Sequence, residues 1–195
     1  MDERGTLVVI SGPSGVGKTT VANLLCATDR YRESVSATTR APRGRERDGV
    51  DYHFLSAEAF EERVTRGEFL EHAQVHGHRY GTLRSAVETI LGAGRHCILN
   101  IDVQGARQLR ASDALPSGDC RFVFLLPPDL ETLERRLRER STDSEEQVLD
   151  RLETAKREIE EASVYDLQVV NRVAEEAAEA VDRAVTSAAG QQSRP

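Results

Sequence analysis

The chain has 195 residues, enough for one sizeable core with one or two inserted lobes but not for two large domains. A net charge of −7 and a pI near 5.3 argue against general binding to nucleic acid or to a membrane surface, although local arginine clusters still grip phosphates. No window approaches 18 unbroken apolar residues and Met1-Asp-Glu-Arg4 is the wrong start for a secretory signal, so the expected setting is cytoplasmic, with neither nucleic acid nor membrane as partner.

From the amino end, the apolar run Leu7-Val-Val-Ile10 predicts a buried strand, and Thr20-Val-Ala-Asn-Leu-Leu-Cys-Ala27 predicts a helix. Between them lies Gly12-Pro-Ser-Gly-Val-Gly-Lys-Thr19, the phosphate-cradling pattern in the strand–loop–helix context that it requires. Glycines at 12, 15 and 17 take backbone angles that other residues resist, so successive N–H groups point at one anion beside the positive end of the helix. Ser11, Gly12, Pro13, Ser14, Gly15, Val16, Gly17, Lys18, Thr19 and Thr20 therefore read as a nucleotide-binding segment. Lys18 adds a point charge, and Thr19 places a hydroxyl where a phosphate-bound magnesium ion needs an oxygen ligand. A plain glycine-rich turn is the competing reading, and the flanks disfavour it. Lys18 and Lys156 are the only lysines; arginine everywhere else suits bidentate phosphate grips and equally a genome-wide bias. Cys26, Cys97 and Cys120 are odd in number and scattered, as expected of packed thiols in a reducing compartment.

Ser34-Val-Ser-Ala-Thr-Thr-Arg-Ala-Pro-Arg43 starts as a short alternating strand, with Pro42 holding Ala41 extended. Val50, Tyr52 and Phe54 alternate with Asp51 and His53, a half-buried strand ending at Ser56, which N-caps a helix over 57–66 that Gly67 closes. Phe69–Val75 and Arg79–Thr82 form a hairpin about His76-Gly77-His78, followed by a helix over 83–91. This region reads as a small mixed lobe rather than more of the parallel sheet. His72, His76 and His78 lack the accompanying carboxylates or thiols of a metal site and read as a polar turn.

The parallel pattern resumes with Arg95–Asp102, a buried strand with polar groups at its carboxyl end, where open α/β sheets bind ligands. A helix from about Gly105, a strand over Arg121–Leu126 and a helix over 130–140 follow. Ser144 and Gln147 make a capping box for a further helix, with Val148, Leu152, Ala155 and Ile159 on one face. Arg135, Arg136, Arg138, Arg140 and Arg151 surround the turn between these two helices, either as phosphate ligands or as a solvated face paired with Glu134, Glu139 and Glu145. A strand over Leu167–Val170 and a helix over 174–188 complete the core, and 191–195 reads as a disordered tail.

From about Leu7 to Val185 the chain resembles guanylate kinase, a P-loop nucleoside monophosphate kinase. The segments SGPSGVGKTT, SATTRAPR, DGVDYHF, GEFLEHAQVHGHRYGT, NIDVQGAR, FLLPP and RRLRER…DRL stand in the family's order and spacing. The resemblance implies an α/β fold: a P-loop core with a central parallel sheet flanked by helices (4–34, 95–135 and 160–190), an inserted GMP-binding lobe with a small mixed sheet (35–94) and a helical lid (136–159). It implies transfer of the γ-phosphoryl of Mg-ATP to GMP, with Mg2+ as cofactor and ATP and GMP as partners. By the matching positions, Ser36, Glu71 and Thr82 read guanine, and Arg40, Arg43, Tyr52 and Tyr80 hold the GMP phosphate. Asp102 stands beside the transferred phosphoryl group, Arg136, Arg140 and Arg151 close over it, and Asn171 borders the adenine.

Guanine's N1–H and N2 amine match the two acceptor oxygens of Glu71, whereas adenine would set a lone pair against that carboxylate. Two departures from the family pattern stand out. Asn100, on the GMP side of the cleft, replaces the usual acidic residue, and Glu139 and Ser141 flank Arg140 where glycines are common. Two other readings remain: a non-catalytic phosphopeptide-binding domain of the same fold, which would not need Lys18, and a sugar-phosphate kinase, which would not need Ser36, Glu71 and Thr82 together.

Overall fold

The molecule is described here by a computed structural model covering residues 5–75, 77–112, 115, 120–140 and 144–189. The chain runs β1 (Leu7–Ser11), α1 (Lys18–Cys26), β2 (Tyr31–Glu33), β3 (Ala37–Thr38), β4 (His53–Phe54), α2 (Ala57–Thr65), β5 (Phe69–Val75), β6 (His78–Leu83), α3 (Arg84–Gly92), β7 (His96–Asn100), α4 (Val103–Ala111), β8 (Cys120–Leu126), α5 (Leu130–Arg140), α6 (Glu145–Glu160), β9 (Leu167–Val170) and α7 (Ala174–Ala189). No described helix is long and apolar enough to cross a membrane.

β1 is apolar along its whole length because it is covered on both faces, as a central parallel strand must be. It pairs in parallel with β7 on one side and β8 on the other, giving the five-stranded order β2-β7-β1-β8-β9. On one face Val8, Ile10 and Ile98 pack with Val21, Ala22 and Leu25 of α1 and with Ala177, Val181 and Val185 of α7. On the other, Leu7, Val9, Cys97 and Leu99 pack with Val87 and Leu91 of α3 and Leu109 of α4. Burial pushes the Cys97 thiol up to about 12, and the three cysteines are free thiols.

The second sheet has the order β4-β3-β6-β5, parallel only between β3 and β4, which makes the mixed lobe expected from the sequence. Ala37, Phe60, Phe69 and Leu83 form its own small core under α2. Ser56 caps α2 by accepting from the Ala59 N–H, and the Ser144–Gln147 capping box opens α6 as the spacing predicts. Leu133 and Leu137 of α5 meet Val148, Leu152 and Ala155 of α6 in a third cluster, separate from the sheet cores.

Several boundaries differ from expectation. The strand expected through Asp102 ends at Asn100, because Asp102 leaves the sheet to cap α4, its Oδ1 accepting from the Gly105 N–H at 2.8 Å. The strand expected from Val50 shortens to His53–Phe54, since the preceding residues fold into turns tied by Asp51 to the Arg47 N–H and by Asp48 to the Phe54 N–H. β2 is an addition to the expected elements: Tyr-Arg-Glu has no apolar alternation, and its strand form rests on pairing with β7. Ser141, His76 and the tail 191–195 lie outside the described residues.

Candidate active site

The loop between β1 and α1 carries left-handed or related backbone angles at Gly12, Gly15 and Gly17 (φ 137°, 81° and 100°). Two of these glycines are also required by space. A Cβ on Gly12 would stand 2.4 Å from the Leu125 carbonyl oxygen, and one on Gly17 2.5 Å from Asn171 Nδ2. Asn171, itself buried, donates from Nδ2 to the Val16 carbonyl at 2.7 Å, fixing the loop to the end of β9. Lys18 folds back over the loop and donates to the carbonyls of Gly12 at 2.5 Å and Pro13 at 3.2 Å. The loop opens on a cleft of about 500 Å³ lined by Ser14, Gly15, Gly17, Lys18, Thr19, Thr20, Asn23, Arg136, Asn171 and Ala174. Ser11 lies buried beneath it at the end of β1. Backbone donors, a lysine and the first turn of a helix make a polyanion site, and Thr19 presents its hydroxyl at its edge.

Of the α5 arginines, helical phase decides which one reaches this cleft. Leu133 and Leu137 face inward, and Arg136 lies beside them, its guanidinium donating to the carbonyls of Val16 at 3.4 Å and Asn171 at 3.3 Å. Arg138 turns outward and pairs with Glu134 and Glu145, and Arg135 stands 3.9 Å from Glu139, so the solvated-face reading holds for these two. Arg151 is half-buried on α6; the side chain of Arg140 lies outside the described residues.

A second cavity, of about 180 Å³, is lined by Ser36, Tyr52, Glu71, Ala73, Val75, Tyr80, Gly81, Asn100, Ile101 and Asp102. Glu71 is its most constrained polar group: only 5% exposed, it accepts from the Thr82 hydroxyl at 2.6 Å. Burial pushes its carboxyl up to about 7, with nearby Asp102 adding to the rise and Thr82 opposing it. Gly105 is a glycine for room, since a Cβ there would stand 2.8 Å from Glu71 Oε2. Asn100 at the end of β7 and Asp102 at the cap of α4 both reach this cavity, and Asn100 Nδ2 also donates to Thr19 Oγ1 at 3.2 Å, linking the two clefts.

Beside it, Arg40 is buried, with its guanidinium 5.4 Å from the Tyr52 ring, and the Tyr52 and Tyr80 rings are 6.0 Å apart in edge contact. Glu46, which the sequence reading passed over, accepts from Arg40 at 2.8 Å and from the Arg43 N–H at 2.7 Å; the Arg43 side chain is exposed. Its only sequence signal is that it is the lone acid amid Arg40, Arg43, Arg45 and Arg47. Two other carboxylates were also missed. Glu33 sits beside Asn100, and Glu158 on α6 lies within the fields of Lys18 and Asp102, burial pushing its carboxyl up to about 7.

A parallel sheet with a glycine-rich phosphate loop at the carboxyl end of its central strand, a lysine at the helix start and a second cavity one hydrogen bond away define a class: P-loop phosphotransferases that use ATP. The guanylate kinase family model matches residues 4–188. A guanylate kinase of Anaeromyxobacter dehalogenans is 52% identical over 173 residues, which cover 88% of this chain and 75% of that relative. One of Clostridium perfringens is 44% identical over 182 residues, covering 93% and 82%. The crystal structure of guanylate kinase from Anaplasma phagocytophilum aligns with a TM-score of 0.73 at 33% identity, covering 98% of this chain and 88% of that one. This chain belongs to the guanylate kinase family.

Proposed function

We propose that the enzyme transfers the γ-phosphoryl group of Mg-ATP to a phosphate oxygen of GMP, releasing ADP and GDP. The observation that carries this reading is Glu71: a carboxylate nearly excluded from water, aligned by Thr82, in a cavity that adjoins the phosphate loop. An isolated buried carboxylate is costly unless a partner meets it, and guanine brings two adjacent donors. An adenine-like edge would leave it unpaired, which a site of this kind rejects by on the order of 10⁴-fold.

In this reading Ser36, Glu71 and Thr82 select the base, while Arg40, Arg43, Tyr52 and Tyr80 hold the acceptor phosphate, which replaces Glu46 as the main partner of Arg40. The loop from Ser11 to Thr20 cradles the donor phosphates, Lys18 unfolding from its own carbonyls onto them, and Asn171 keeps the adenine side of the loop in place. Phosphoryl transfer asks for alignment and charge neutralisation rather than a covalent nucleophile, so Lys18, Arg136, Arg140, Arg151 and Asp102 suffice as the catalytic set. The residues fit a nucleotide-borne magnesium ion: Thr19 offers a hydroxyl and Asp102 a carboxylate with one oxygen committed to its cap. Magnesium bound there neutralises phosphate charge. Residues 4–34, 95–135 and 160–190 act as the core, 35–94 as the acceptor lobe and 136–159 as a lid whose closure excludes water. The setting is cytoplasmic.

The test is ADP release measured with GMP, AMP, CMP, UMP and ribose bisphosphate as acceptors. GMP is expected to be by far the best; AMP turnover within tenfold of GMP, or preference for the sugar phosphate, would overturn the reading.

A further inference from the structure

Position 100, where an acidic residue is usual, holds an amide in this chain, yet a carboxylate lies beside it on the neighbouring strand. β2 is a three-residue edge strand in parallel register with β7, Tyr31 opposite His96 and Glu33 opposite Ile98. Side chains alternate along a strand, so Tyr31 and Glu33 share one face of the sheet, as do Ile98 and Asn100. That face is the one covered by α1 and α7: Tyr31 and Ile98 pack against Val21, Ala22 and Leu25, and the Tyr31 hydroxyl donates to Asp182 of α7 at 2.7 Å. The same face directs Glu33 and Asn100 toward the first turn of α1, where Thr19 stands.

The contacts follow. Asn100 donates from its side chain to the Glu33 carboxylate and from Nδ2 to Thr19 Oγ1 at 3.2 Å. A carboxylate only accepts, so the amide must turn its nitrogen toward Glu33, and the two protons of that nitrogen serve Glu33 and Thr19. The amide oxygen is thereby left for the cavity that Asn100 lines with Tyr52 and Asp102. With one lone pair of Thr19 engaged by Asn100, its own proton and its other lone pair face the phosphate loop.

We infer that Glu33 is a positioning residue of this phosphotransferase, its carboxylate orienting the Asn100 amide and, through it, the Thr19 hydroxyl. The negative charge at the floor of the cleft is kept in this chain but moved one strand outward. The inference rests on the phosphotransferase reading above for its kinetic consequence, though not for its geometry.

Relocating the charge tests it. Glu33→Gln leaves the amide free to sit either way round and should lower kcat/KM for GMP about fivefold, the scale of one hydrogen bond. Asn100→Asp sets a second carboxylate against Glu33 and should lower it by about tenfold or more. The double variant, Glu33→Gln with Asn100→Asp, restores a single charge with an amide partner and should return to within about twofold of the parent. A double variant no better than the product of the two singles overturns the inference, as does a Glu33→Gln enzyme equal to the parent. A second readout needs no substrate: NMR of the Asn100 side-chain amide in the nucleotide-free protein. Its two protons should be protected from exchange in the parent, and should lose that protection in Glu33→Gln but not in the surface control Glu153→Gln. Protection that ignores Glu33 overturns the relay even in an active enzyme, whereas a Glu33-dependent amide in a protein inert toward GMP upholds the relay and removes the proposed substrate.

Discussion

The phosphate loop is made of backbone, contiguous from Gly12 to Thr19, whereas the second cavity is made of side chains gathered from Ser36 to Asp102 across two sheets. In the loop, the acids are absent and the donors are fixed by glycine geometry, so its affinity for anions hardly depends on pH. The cavity depends on Glu71, whose carboxyl burial holds near 7, so its state changes with small changes in surroundings. The loop recognises what all its ligands share, a polyphosphate, while the cavity discriminates among bases by leaving one carboxylate to be satisfied by the right edge. Variants on either side of this division should separate chemistry from selection.

The largest effect expected is on the loop side. Lys18→Ala should cut kcat by at least about 10²-fold, because a preorganised charge facing developing negative charge is worth roughly 3 kcal/mol. KM for GMP should change little, since Lys18 does not line the second cavity. Steady-state kinetics at saturating Mg-ATP measure both, and an unchanged kcat would remove Lys18 from the chemistry.

Where the two regions meet, Asp102 and Asn100 both reach the cavity but should not be equivalent. Asp102→Ala should lower kcat by on the order of 10²-fold, because a charge-assisted contact in a closed site is worth about twice a neutral one and the cap of α4 goes with it. Asn100→Ala should mainly raise KM for GMP, by about tenfold or less. Equal losses of kcat would mean that the amide takes part in the transfer itself.

The same division governs what was legible in the sequence. The loop could be read almost to the residue, since contiguity, glycine spacing and flanking strand and helix are all local. The mixed lobe and the five-stranded parallel core were legible as patterns of alternation and of buried runs. Glu71, Ser36 and the two tyrosines were named only through resemblance, because nothing in the strand pattern marks a carboxylate that will be buried by a hairpin and by Gly105 of a later helix. β2 and Glu33 went unseen for a related reason: a three-residue charged strand exists only through its pairing with β7. The phase of α5 was readable from Leu133 and Leu137, but that Arg136 meets Val16 and Asn171 depends on how the helix is set against the loop.

On the cavity side, Glu71→Gln should lower kcat/KM for GMP by about 30-fold, since the amide keeps one acceptor where two are needed. In the parent enzyme KM for GMP should fall as pH rises from about 6 to about 8, because guanine requires the ionised carboxylate and its pKa lies near 7. Only the parent should show this slope, which should vanish in Glu71→Gln. A slope common to both would assign the titration to another group, with Glu158 the first to examine.

The smallest effect has the opposite sign. Glu71 ionises near 7 in the folded protein against an ordinary 4.5, so between those values the folded state binds more protons than the unfolded chain. Stability therefore falls as pH rises through that window, and above 7 the full cost of a buried, solvent-excluded charge remains. Glu71→Gln removes the charge while its amide oxygen still accepts from the Thr82 hydroxyl. The variant should melt close to the parent at about pH 5 and above it at about pH 8, by about 5 °C for a gain of about 2 kcal/mol. Calorimetry of both proteins without nucleotide at the two pH values measures it. A Tm difference that stays constant across that range would mean that Glu71 is not held protonated by burial, and the cavity would then lose the feature that sets it apart from the loop.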